Sequence, residues 1–141
     1  MTAKEYLSQA YQIEARIKIK MEHAQYYYDI ATKANTIFSD IPFDKTAWDI
    51  RQIDGAIAHL LDLKNEMHAE ISRLVALKSE IKNTINQVDN TTHQTLLELR
   101  YLHYMRWYEI AKIMHYESKY IFRLHNMALK KIDTIRDHQT A

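Results

Sequence analysis

From Ile50 to Val88, twelve positions recur at alternating steps of three and four residues without a slip: Ile50, Ile53, Ile57, Leu60, Lys64, Met67, Ile71, Leu74, Lys78, Ile81, Ile85 and Val88. A sustained seven-residue repeat keeps one narrow seam against a partner helix and imposes a left-handed supercoil. The stretch is therefore expected to form a coiled coil. Lys64 and Lys78 would be costly if buried, so they mark either register or a place where the seam meets solvent.

Little in the chain can interrupt such helices, because Gly55 and Pro42 are its only glycine and proline. Thr2 and Glu5 have the spacing of a capping box. A first helix then carries Ala10, Ile13, Ile17, Ala24, Tyr27, Ala31, Ala34 and Phe38 along one face, with Lys20 taking one apolar place. Ile41 and Pro42 stop it, since the residue before proline is biased away from helix. Thr46 and Asp49 offer the next start, and Asp89 and Asn90 an end. Two helices of about 2–38 and 46–89, joined by Ser39 to Lys45, can fold back as an antiparallel hairpin over 1–90. Pairing between chains is the alternative, and a homo-oligomer through the coiled coil is compatible with either.

After residue 90 the pattern changes. Thr91 and Gln94 repeat the capping-box spacing. Leu96, Leu97, Leu99, Leu102, Trp107, Ile110, Ala111, Ile113, Met114, Ile121, Leu124, Ala128, Leu129 and Ile132 suggest three shorter helices closing a compact core over 91–141. Leu99 and Trp107 are expected in that core. The charge shifts as well: residues 1–91 hold 11 Lys and Arg against 13 Asp and Glu, and residues 92–141 hold 8 against 5. The second part is the basic one, and thus the better candidate for a nucleic-acid surface. The fold class expected is all-α, a long N-terminal helical hairpin followed by a small helix-turn-helix domain.

Several chemistries find no support. With no cysteine there is neither a disulfide framework nor a thiolate zinc site. The eight histidines are scattered, with no HxxxH or HExxH pair. No glycine-rich phosphate loop or acid-base constellation is visible, so neither enzyme activity nor a cofactor is expected. No secretory signal or membrane-length apolar run is visible, and a soluble, cytoplasmic protein is expected. Tyr26, Tyr27 and Tyr28 are consecutive on a helix and point in different directions, so packing explains them better than a shared aromatic surface.

The segment from Leu96 to Ile132 resembles the fourth conserved region of bacterial sigma factors. Leu99, Arg100 and Tyr101 match the Leu-Arg-Tyr of its first helix. Glu109, Ile110 and Ala111 match the start of its scaffold helix, and Ile121, Leu124, Ala128, Leu129, Lys131 and Ile132 fall on apolar and basic positions of its recognition helix. Taken whole, the chain is similar to small phage-encoded late-gene activators of the ArpU and RinA groups. The resemblance implies a DNA-binding transcription regulator in a bacterial host, with double-stranded DNA and RNA polymerase as partners. Two departures stand out: Glu117 occupies the usual Ser or Thr cap of the recognition helix, with Ser118 as the alternative cap that shifts the start by one residue. His103, Tyr104 and Met105 replace a glycine-rich turn.

The residues divide the labour in the same way without the family. In a helix from Ser118 to about Arg136, Ile121, Leu124, Ala128, Ile132 and Ile135 share an inward face. Ser118, Lys119, Phe122, Arg123 and Asn126 then face out. Arg can bind guanine and Asn adenine bidentately, Lys119 can meet guanine or phosphate, and Phe122 can touch a thymine methyl or a protein. Arg106, Lys112, Lys130 and Lys131 can clamp phosphates. The competing expectation is a protein-binding adaptor, engaging its partner through the coiled coil or an aromatic surface.

Overall fold

The computed structural model describes residues 1–37 and 43–140, with side chains from 1–32 and 51–140. The stop at Ile41 and Pro42 and the side chains of Ala34, Phe38 and Ile50 fall outside the described residues. Within them the chain is all helical: α1 (Ala3–Ile37), α2 (Phe43–Asn86), α3 (Thr91–Leu97), a π-helical turn (Glu98–Leu102), α4 (Trp107–Met114) and α5 (Ser118–Thr140).

The first start signal works as the spacing predicts. Thr2 N–H donates to Glu5 Oε2 at 3.3 Å while Glu5 N–H donates to Thr2 Oγ1 at 3.2 Å. The others shift. α2 is already helical at Phe43, so Thr46 lies inside the helix. Asp44 and Lys45 present no breaker that would free Thr46 to cap. At the other end α2 stops at Asn86, where Gln87 and Val88 N–H turn back to Thr84 and Ile85 carbonyls at 3.2 and 3.0 Å. Asn90, not Thr91, caps α3: its Oδ1 accepts from Thr92 and His93 N–H at 2.9 and 3.2 Å. Gln94 reaches back instead to the Asn86 and Val88 carbonyls, closing the corner.

Packing groups the residues into two compact units, 14–72 and 1–13 with 73–141. In the first, α1 and α2 run antiparallel, as the succession Arg16 with Glu70, Lys20 with Glu66 and Tyr27 with His59 requires. Tyr27 stacks on the His59 ring at 5.0 Å, while Tyr26 and Tyr28 are exposed. The seam of α2 is turned by one residue from the apolar reading. Ala56, Leu60, Leu63, Met67 and Glu70 face inward, and Ile57, Lys64 and Ile71 lie exposed. The turn puts Leu63 in the seam in place of Lys64, and it suits the charge of Lys20, which sits in the seam of α1 and meets Glu70 at 2.7 Å and Glu66 at 3.5 Å. A half-buried ammonium left without those carboxylates would be costly. The pairing holds the Lys20 ammonium above the ordinary lysine range, chiefly through the Glu70 hydrogen bond.

The second unit has one continuous core. Leu7 and Ala10 of α1, Ile81 and Ile85 of α2, Leu96 and Leu97 of α3, Ile110 of α4, and Ile121, Ala128 and Ile132 of α5 are completely buried. Tyr6 spans its edge: the hydroxyl lies 3.1 Å from both Glu80 and Thr84, which satisfies the buried Thr84. Lys78 lies over the Tyr104 ring at 5.1 Å. Across this core α3 and α4 both pack on α5.

Removing the Asn90 cap by Asn90→Ala should cost about 1 kcal/mol. A urea titration should show a lowered midpoint with an unchanged slope.

Candidate nucleic-acid interface

The turn between α4 and α5 is built at His115, which takes the left-handed conformation (φ 60°, ψ 40°) just beyond Met114. Tyr116 N–H then closes onto the Ala111 carbonyl at 3.0 Å, the six-to-one bond of a Schellman motif. Glu117 caps the next helix, since its carbonyl accepts the first helical bond from Ile121 N–H at 3.0 Å. The start therefore falls at Ser118 with Glu117 in the cap position, and the shifted start is not used.

From there the side chains of α5 separate by spacing. Ile121, Leu124, Ala128 and Ile132 go into the core, and Ser118, Lys119, Phe122, Arg123, Asn126 and Lys130 are exposed. Lys112 and Arg106, on α4 and at its cap, are exposed too. Lys131 is half-buried and pairs with the exposed Asp89 at 3.0 Å, a carboxylate with which a phosphate there would compete. Between Ser118 and Ile132 there are four cations and no acidic residue.

Phe122 is less free than the helical wheel implies. Its ring packs on Trp107 at 5.3 Å and is 45% exposed. Trp107 is the hub of a cluster that the sequence does not announce: Arg100 lies over one face at 4.5 Å, and His125 meets it edge-on at 4.5 Å. His125 Nε2 lies 2.6 Å from the Tyr101 hydroxyl. Burial, reinforced by Lys4 and Arg100, pushes the His125 pKa down to about 4. Burial pushes the Tyr101 hydroxyl up to about 12. Both groups are neutral near pH 7, which suits a buried pair. His125 escaped the sequence reading because a histidine carries no apolar signal, although it immediately follows Leu124 on the inward face.

Tyr104, in the turn before α4, takes the left-handed conformation that favours glycine, with φ 58°. Its ring is retained by an edge contact with Tyr11 at 5.3 Å. Tyr108, Ile113, Tyr116 and Tyr120 are exposed, and Tyr116 and Tyr120 pair edge-to-face at 4.9 Å. Among the described residues no helix is long and apolar enough to cross a membrane.

A family model described as a protein of unknown function (DUF1492) matches residues 45–133, from the start of α2 into the second half of α5. No curated protein and no solved structure gives a significant match.

Two outcomes follow from the geometry. His125 has its pKa depressed from 6.5 to about 4 on folding. The stability it contributes is thus complete above pH 6.5 and is lost as pH falls toward 4. Between pH 7.5 and 5 the loss should be about 1 to 2 kcal/mol, allowing for partial solvent screening. His93, whose pKa is also lowered by burial, adds a loss in the same direction. Urea unfolding at the two pH values should show a smaller difference in His125→Gln than in the native chain. Separately, His115→Val should unfold about 1 to 2 kcal/mol more easily than His115→Gly, because a branched Cβ is strained at positive φ.

Proposed function

Because the chain belongs to that family of unknown function, its activity rests on its own residues, and we propose a DNA-binding transcription regulator of sigma-like, phage type, acting as an activator. The observation that carries the reading is the acid-free outer face of α5 from Ser118 to Ile132, beside a tight helix-turn-helix corner. It presents Ser118, Lys119, Phe122, Arg123 and Asn126 together at the N-terminal half of the helix. That is the half that meets base edges when such a helix enters a major groove. Arg123 suits guanine and Asn126 adenine. Lys112, Lys130 and Arg106 are exposed cations suited to phosphates. RNA polymerase as a second partner, and self-association through the exposed Ile57, Leu61 and Ile71 of α2, belong to the same proposal.

The second reading is a protein-binding adaptor, favoured by the exposed Ile113, Tyr116 and Tyr120 around the corner. Aromatic residues of this kind are enriched at protein interfaces.

Selection of bound sequences from a random duplex pool, with the purified chain, separates the two. A regulator enriches a motif, and its affinity falls steeply as salt rises because counterions are released. At the selected site Arg123→Ala should weaken binding by about 1 to 3 kcal/mol and relax preference at one base. An unselected pool, with no retention on DNA at low salt, would leave the adaptor.

A further inference from the structure

We propose that a recess between the first turns of α1 and the π-helical turn binds a small organic phosphate of mononucleotide size. Its volume is about 300 Å³, at the lower end of small-molecule sites. Lys4, Arg100 and Arg106 converge on it, and no carboxylate lines it. Neither Lys4 nor Arg106 has an ion-pair partner among the described residues. Three cations gathered around one volume repel one another, and an anion placed there relieves the repulsion.

The site is held in shape before any ligand arrives. Arg100 donates to the Met105 carbonyl at 2.8 Å and stacks on Trp107, so its guanidinium is fixed without being neutralised. The π-helical turn carries Arg100 and Tyr101 to the same wall, and π insertions in helices occur frequently at functional sites. Tyr104 holds its strained φ at the rim, and strain of this kind persists only where the surroundings enforce it. The positive field reaches the interior: Lys4 and Arg100 are the two charges that add to burial in depressing His125.

Tyr11 and Tyr104 supply the apolar part of the lining. Arginine forks favour phosphate over other anions, because they can donate two parallel hydrogen bonds to it. Tyrosine faces accept a planar ring by stacking. The combination fits an organic phosphate with a flat group better than bare phosphate. It also fits such a ligand better than a duplex backbone, whose phosphates project from a convex surface and would meet the rim rather than the recess.

The test is a calorimetric titration of the full chain, without DNA, with the four nucleoside monophosphates and the corresponding nucleosides, alongside backbone amide shifts. At least one monophosphate should bind with micromolar to low millimolar affinity and shift the amides around Lys4, Arg100 and Tyr104, with its nucleoside at least about tenfold weaker. Lys4→Gln, an exposed change in the first turn of α1, should weaken binding about tenfold with unchanged helical circular dichroism and unchanged retention on DNA. Absence of binding by all four monophosphates at millimolar concentration would overturn the proposal. So would wild-type affinity in Lys4→Gln, or amide shifts in this region produced only by duplex DNA, which would make the recess a backbone contact. The DNA retention experiment reads the regulator proposal independently, so either can fail alone.

Discussion

Leu7, buried with Ile81, Ile85, Leu97, Ile121 and Ile132, ties the first turns of the chain to its last helices. The remainder of the unit depends on that closure. α3 has seven residues and α4 eight, well below the length at which a helix is stable in water by itself. Their helicity comes from the apolar faces they contribute to a shared interior, and residues 3–10 supply one wall of it. The corner between α4 and α5 is rigid for the same reason. With Ile110 and Ala111 on one side and Ile121 and Leu124 on the other held in the core, the intervening residues have a single path.

That single path has a conformational cost, which falls at two positions. Tyr104 and His115, at either end of α4, are the two non-glycine residues at positive φ among the described residues. Each is compensated locally. Tyr104 is packed by Tyr11 and Lys78, and the Schellman bond after His115 satisfies a carbonyl that the end of α4 would otherwise leave open. On the outward half of α5, Phe122 shares its ring with Trp107, Tyr120 pairs with Tyr116 and Lys131 with Asp89, which leaves Ser118, Lys119, Arg123 and Asn126 outside these contacts. Polar side chains there can serve a ligand because the core does not need them.

In the paired part of α1 and α2, charge acts beside apolar area in setting the face: Leu63 takes the place of Lys64 in the seam, and Glu70 meets Lys20. An apolar count along α2 prefers Ile57 and Ile71, which are bulkier than Ala56 and more hydrophobic than Glu70. The helix nevertheless turns Ala56 and Glu70 inward. Lys20 on α1 needs a carboxylate within reach, and a small residue such as Ala56 permits close approach of the backbones. The stripe shared by both readings, Leu60, Met67, Leu74, Ile81 and Val88, is the part that periodicity identifies without knowledge of a partner.

Sequence alone determined the class of the fold, the helical identity of nearly every segment, the Thr2–Glu5 box, and the inward and outward faces of α5. All of these are local quantities set by spacing, propensity and caps within a few residues. The position of the corner at His115 to Glu117 was legible for the same reason, since the apolar pattern breaks there. Only the tertiary structure decided which of two adjacent stripes on α2 became the seam, that His125 is buried against Tyr101 and Trp107, and that Lys4 lies beside Arg100 and Arg106. Each of these depends on a partner distant in the chain: Lys20 for Glu70, Tyr101 for His125, and the first turn of α1 for the basic recess. Pairings over such separations are fixed by simultaneous packing of all the helices, a condition that no window along the sequence contains.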